Sequence, residues 1–160
     1  MTAATQDVLT LTLHYPAPAD RVFDAFLDVE VGRRFLFATP DGEMIEASVE
    51  PRVGGRFTFV ERRPGMGDIR HVGEYREIDR PFRLVFSFGV PKYDPRMTLV
   101  TITIHPHDDG CALTLTQQGV PADYVESSRA GWGHILAGLL PACEGIRAAG
   151  WPGSDEPQRR

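Results

Sequence analysis

Cysteine is scarce in this chain. Only Cys111 and Cys143 occur, far apart and without a CxxC spacing, so no disulfide framework is expected, and two reduced thiols in a reducing cytoplasm is the reading that fits. Basic charge is short as well. Lys and Arg number 17 against 22 Asp and Glu, a net charge of −5. Nucleic-acid binders carry a basic excess, so no nucleic-acid partner is expected, and an anionic membrane surface is disfavoured for the same reason. Apolar runs are only a few residues long, far from the roughly 20 needed to span a bilayer, so no membrane span is expected. Residues 1–7 have neither a basic start nor an apolar block, so no secretory signal is visible and the expected location is cytoplasmic. There is no internal repeat, no low-complexity segment, no GxSxG elbow and no GxxxxGK[ST] phosphate loop. No cofactor is expected.

What the chain does have is enough apolar residues, 42% of 160, to bury a core of one domain. Its organising stretch is 128–147. Trp132, Leu136, Leu139, Cys143 and Ile146 recur at steps of four and three, and Ile135 and Leu140 widen the stripe. That is the period of a helix with one buried face. Ser128 suits its N-cap, and Pro141 inside it predicts a kink, because proline cannot donate to the Ala137 carbonyl.

Almost everything earlier reads as strands. Leu9, Leu11, Leu13 and Tyr15 alternate with polar neighbours over 8–15. Pro16 and Pro18 stop that strand and introduce a short helix with Val22, Phe23, Phe26 and Leu27 inward. A second short helix is predicted over 29–37 with an aromatic end, Phe35-Leu36-Phe37. Over 43–50, Ile45, Ala47 and Val49 share one face. Gly54-Gly55 allows a bend. Phe57, Phe59 and Glu61 then share a face over 56–62, and Pro64-Gly-Met-Gly67 reads as a hairpin loop. The strand over 69–78 is ambiguous: His71, Gly73, Tyr75 and Glu77 on one face, Val72, Glu74, Arg76 and Ile78 on the other. Leu84, Phe86 and Phe88 share a face of the next strand, and Val100, Ile102 and Ile104 one of the strand over 98–104. Asp108-Asp-Gly110 is a tight turn into a last strand bearing Leu113 and Leu115. Strands joined by short loops pair antiparallel. The predicted class is α+β: one curved antiparallel sheet of about seven strands around a long C-terminal helix, with two short helices after the first strand.

Several residue groups carry the chemistry to be weighed. Phe35, Phe37, Phe57, Phe59, Phe86, Phe88 and Trp132 have the composition of a wall for a small apolar ligand, with Leu136 on the same helix face. The same set is what an ordinary aromatic core looks like. Tyr75 and His71 face inward or outward together, according to a register that alternation alone leaves open. Inward, they would orient a polar ligand head, and His71 would be able to move a proton. Glu61, near a strand end, more commonly reaches water. His134 leans off the apolar stripe. His105 and His107 share a strand face, but zinc wants further ligands, and Asp108 and Asp109 serve the turn, so no metal site is expected. Arg33-Arg34 and Arg62-Arg63 read as solvated charges.

Four motifs, in order, carry a family resemblance. They are Ala-Pro-Ala-Asp-Arg-Val-Phe-Asp-Ala-Phe at 17–26, Pro-Arg-Val-Gly-Gly-Arg-Phe at 51–57, the hairpin from Gly73 to Phe86, and Gly119-Val-Pro121 followed by Gly131-Trp132. With them the chain resembles the START-like superfamily (the SRPBCC or helix-grip fold) over about 9–149. Within it, the chain is similar to bacterial homologues of the heat-shock-protein-90 ATPase activator C-terminal domain. Phe35 stands where many members carry Trp, and Pro141 is not part of the pattern. The resemblance implies a single START-like domain over 1–151 with a flexible tail at 152–160, and an interior cavity between sheet and terminal helix. The expected occupant is a small hydrophobic or amphipathic molecule, held by Phe35, Phe37, Phe57, Phe59, His71, Tyr75, Phe86, Trp132 and Leu136. Two rivals stand beside that binding module. One is a cyclase or hydrolase using His71, Tyr75 or Glu61 in the same cavity. The other is an interaction module that binds a chaperone or forms a homodimer. The eukaryotic activator uses an additional N-terminal domain on its chaperone, so co-chaperone activity is not expected to carry over.

Overall fold

The computed structural model describes residues 8–148, with side chains to 143. The expectations for residues 1–7, for the Ile146 side chain and for the tail beyond 148 lie outside them. The first strand, β1 (Val8–Tyr15), is followed by two short helices, α1 (Ala19–Ala25) and α2 (Val29–Phe35). Six strands come next: β2 (Glu43–Val49), β3 (Arg56–Arg63), β4 (Gly67–Asp79), β5 (Arg83–Phe88), β6 (Thr98–His107) and β7 (Gly110–Gln118). A single 3-10 turn, Ala122–Tyr124, leads into α3 (Val125–Ala137) and α4 (Leu139–Ala148). All seven strands form one sheet in the order β1-β7-β6-β5-β4-β3-β2, every pair antiparallel. This is the helix-grip fold. Among the described residues no helix is long and apolar enough to cross a membrane.

Strand alternation places the core. Leu9, Leu113, Leu115, Val100, Ile102, Ile104, Leu84 and Phe86 are buried from neighbouring strands, with Trp132, Leu136, Leu139 and Cys143 buried against them from the terminal helices. The helix α3 packs on β1, and α4 on α1 and α2.

Two bulges shift faces where simple alternation fails. In β2 the register slips between Met44 and Glu46. Met44 therefore packs on the core with Ala47 and Val49, and Ile45, expected inward, is 37% exposed. In β4 the slip falls between Tyr75 and Glu77. His71, Gly73 and Tyr75 point inward as one alternating set, but Glu77 is exposed and Ile78 takes the core side. Gly73 is required there. It pairs with Phe57, and a Cβ on it would lie 2.4 Å from that ring and 2.0 Å from the Ser87 carbonyl oxygen. The Gly54–Gly55 bend does what its residues allow: Gly54 has φ 86°, and both glycines bond to the Tyr75 backbone.

The terminal helix differs in detail from expectation. It starts at Val125, with Tyr124 rather than Ser128 at its N-cap position. It does not kink around Pro141; it ends at Gly138 and restarts at Leu139. The proline ring clashes with the carbonyl four residues back, at Ala137, so the break falls just before that turn. The Gly138 N–H bonds back to Ile135, and the Leu136 carbonyl accepts instead from the buried Tyr15 hydroxyl at 2.7 Å.

Candidate functional site

The site begins where α2 ends. The Asp28 side chain caps that helix by accepting from the Glu30 and Val31 N–H groups. After Leu36 turns extended, Phe37 takes φ 61°, the left-handed region that a bulky residue enters only at a cost. What holds it there is Glu61. Expected to reach water, Glu61 is 1% exposed. Its carboxylate accepts from the Thr39 N–H at 2.6 Å and the Thr39 hydroxyl at 2.8 Å, and pairs with Arg63. Arg63 also donates to the Phe37 carbonyl, so it is not the solvated charge expected of it. The loop comes close: a Cβ on Gly42 would sit 2.0 Å from the Glu61 carboxylate.

Fixed in this way, the Phe37 ring lies at the centre of an aromatic cluster. It is parallel to His71 at 4.5 Å and to Phe88 at 5.0 Å, and edge-on to Trp132 at 5.8 Å. Trp132 is also edge-on to Phe88 at 5.7 Å. These are the offset and T-shaped geometries that aromatic quadrupoles favour. The indole N–H donates to the Gln117 side-chain oxygen at 2.9 Å. Gln117 donates to the Thr98 hydroxyl at 2.8 Å, and Thr98 donates to the Phe88 carbonyl at 2.9 Å. One run of hydrogen bonds thereby ties α3 to β7, β6 and β5.

His71, whose facing alternation leaves open, is 5% exposed. Its Nδ1 lies 3.1 Å from the Phe59 carbonyl, which only accepts, so Nδ1 carries the proton and Nε2 holds a lone pair. Burial pushes the imidazole down to about 4, helped by the Arg63 charge and opposed by backbone hydrogen bonding at Phe59 and Ile69 and by Glu61. The ring is neutral at neutral pH. Tyr75 is also buried, and burial pushes its hydroxyl well above the ordinary tyrosine range.

Two spaces adjoin Phe37. Behind it lies a void of about 10 Å³ among Phe57, Phe59, Tyr75 and Phe86, room for one water at most. In front opens a cleft of about 610 Å³, walled by Phe37, Phe88, Trp132 and Ile135, with His71, Arg63 and Gln117 among its polar groups. A further hollow of about 370 Å³ continues from it past Tyr93 and Tyr124. Of the residues singled out in the sequence as a ligand wall, Phe37, His71, Phe88 and Trp132 come together on the cleft. Phe57, Phe59, Tyr75 and Phe86 surround the small void. Phe35 packs edge-on to Phe26 at 5.6 Å, and it and Leu136 border neither space.

Gln117, Arg63 and Tyr93 were missed. Gln117 continues the inward set Leu113 and Leu115, so alternation was a usable signal for it; nothing local marks Tyr93. His134 is exposed, as its helix position implied, though it borders the cleft mouth. His105 and His107 are exposed too, with His107 stacked on His14 at 5.7 Å. Among the described residues no three potential metal ligands gather.

Comparison with known proteins agrees with this architecture. Protein CV1439 from Chromobacterium violaceum is 25% identical over 82% of this chain and 93% of its own, with a TM-score of 0.74. Mll3558 protein from Rhizobium loti is 27% identical over 86% of this chain and 96% of its own, with a TM-score of 0.71. The AHSA1-like protein from Aeromonas hydrophila, 20% identical over 88% of this chain and 94% of its own with a TM-score of 0.72, shares the fold. No curated protein matches. The model for the family described as Activator of Hsp90 ATPase homolog 1-like protein matches residues 16–143. Most of the chain falls within that match, and the chain belongs to this family.

Proposed function

We propose that the protein is a binding module that holds a small hydrophobic or amphipathic molecule in the cleft beside Trp132. One observation carries the reading: a space of about 610 Å³ is walled by aromatic rings and dotted with a few fixed polar groups. That size and lining are typical of small-molecule sites. The binding residues in this reading are Phe37, His71, Phe88 and Trp132. Phe57, Phe59, Tyr75 and Phe86 form the packed layer behind them, and Phe35 and Leu136 support the helices. The same proposal carries the cytoplasmic location expected from the sequence.

The cyclase or hydrolase alternative has less support. Glu61 is occupied by Thr39 and Arg63, and Tyr75 borders the small void rather than the cleft, which leaves His71 alone on the cleft. An interaction module draws on the family's name and on the exposed Tyr93, Met97 and Tyr124.

Native mass spectrometry of the intact protein against metabolite extracts tests the binding reading, with a Trp132→Ala comparison. A retained small molecule whose occupancy falls in the variant is the expected result. The absence of any retained or added ligand under all conditions would overturn it.

A further inference from the structure

The geometry points to a ligand class: a neutral, flat aromatic molecule bearing a hydroxyl that donates to Nε2 of His71 while the ring lies in the corner between Trp132 and Phe88. This rests on the binding reading above and narrows it.

The acceptor comes first. His71 is 95% buried, its Nδ1 is fixed on the Phe59 carbonyl, and its ring is stacked on Phe37 at 4.5 Å. The ring cannot turn without losing that bond. Among the described residues no donor reaches the ring: the backbone groups that bond it, at Phe59 and Ile69, favour its protonated form and so only accept. The Nε2 lone pair is thus open to a hydroxyl donated by a ligand in the cleft. The lowered proton affinity of the ring means that it accepts such a hydrogen bond without taking the proton.

Charge narrows the class further. Among the described residues Arg63 is the one Lys, Arg, Asp or Glu bordering the cleft, and its guanidinium is committed to Glu61 and the Phe37 carbonyl. In the adjoining hollow Asp94 is paired with Arg96. Among the described residues lining the cleft and hollow, an anionic ligand finds no uncommitted Lys or Arg, and a cationic one no uncommitted carboxylate. Either would be desolvated without a partner. Shape agrees: the Trp132 indole stands at 66° to Phe88 and 69° to Phe37, so a flat ring entering the corner meets one wall face-on and another edge-on.

The test is calorimetric titration of the intact chain at neutral pH with 2-naphthol, 2-methoxynaphthalene, naphthalene and 2-naphthoate. The expected result is that 2-naphthol binds about tenfold more tightly than its methyl ether, the worth of one hydrogen bond to a buried acceptor, and that naphthoate is weakest. His71→Phe keeps a stacking ring and should erase the preference. In the unsubstituted protein with ¹⁵N-labelled histidine, 2-naphthol should move the Nε2 resonance toward the hydrogen-bonded side, and 2-methoxynaphthalene should not. Equal affinity for naphthol and its ether, or a preference that survives His71→Phe, overturns the inference while leaving apolar binding intact. Should His71→Phe fail to fold, an unmoved Nε2 resonance overturns it. If none of the four probes binds, this inference falls; the binding reading falls with it only if native mass spectrometry also finds no ligand.

Discussion

The Tyr15 hydroxyl on β1 donates to the Leu136 carbonyl on α3 at 2.7 Å, in the interior, beside the break between α3 and α4. A broken helix leaves carbonyls without their usual partners, and a buried one must find another donor. Tyr15→Phe keeps the ring and removes the donor. It should lower stability by about 1–2 kcal/mol in urea denaturation and leave cleft binding unchanged. A loss below a few tenths would mean that water replaces the hydroxyl.

Glu61 should be among the most sensitive positions. Glu61→Gln keeps an acceptor for Thr39 but leaves Arg63, only 23% exposed, without its counter-charge. We expect a loss of about 3 kcal/mol, at the low end for breaking a buried pair because Arg63 retains some water. A denaturation midpoint close to that of the unsubstituted chain would contradict this.

Phe37 offers a direct measure of backbone cost. Both Phe37→Ala and Phe37→Gly delete the ring, so both should destabilise by several kcal/mol. Glycine adopts φ 61° readily and alanine does not, so the glycine variant should be the more stable of the two by about 1 kcal/mol. That reverses the usual order of the two residues, and an alanine variant of equal or greater stability would show that the loop relaxes out of the left-handed region.

His71 predicts a pH dependence. Its imidazole titrates at about 4 when folded, against an ordinary value of 6.5, so the unfolded chain takes up the proton first as pH falls. The stability contributed by the neutral ring is complete above about pH 6.5 and declines from there toward pH 4. The loss between about pH 7 and 5.5 should be on the order of 1 kcal/mol. The exposed His14, His105, His107 and His134 are common to the protein and its His71→Phe variant, so the difference in urea midpoints between them isolates His71. Parallel midpoint shifts in the two proteins would refute the assignment.

Much of the fold was legible because strands advertise their faces. Alternation at Leu9, Phe57, Leu84, Val100 and Leu113 leaves one side apolar, and only a sheet packed on a helix buries it. The failures have local causes. Each bulge inserts one residue, so Ile45 and Glu77 fall on the opposite side from a strict period of two. Pro141 announced a disruption but not its place, because the ring acts on the preceding turn. His71 was undecidable until its strand partner, Phe59, fixed the register. Glu61 misled for another reason: the groups that satisfy it, Thr39 and Arg63, include a loop residue more than twenty positions upstream, which no reading of its own strand reveals.

The hydrogen-bond run from Trp132 to Phe88 has a definite polarity. An indole nitrogen can only give a proton and a carbonyl can only receive one, so both ends are chemically fixed and everything between must point from helix to sheet. Gln117 supplies what that arrangement demands, an oxygen toward the helix and hydrogens toward Thr98. A glutamate of nearly the same size would set two lone pairs against the threonine oxygen, whose own hydrogen is already spent. Position 117 therefore calls for a side chain that is acceptor and donor at once, and the tie between α3 and the sheet beside the cleft depends on it.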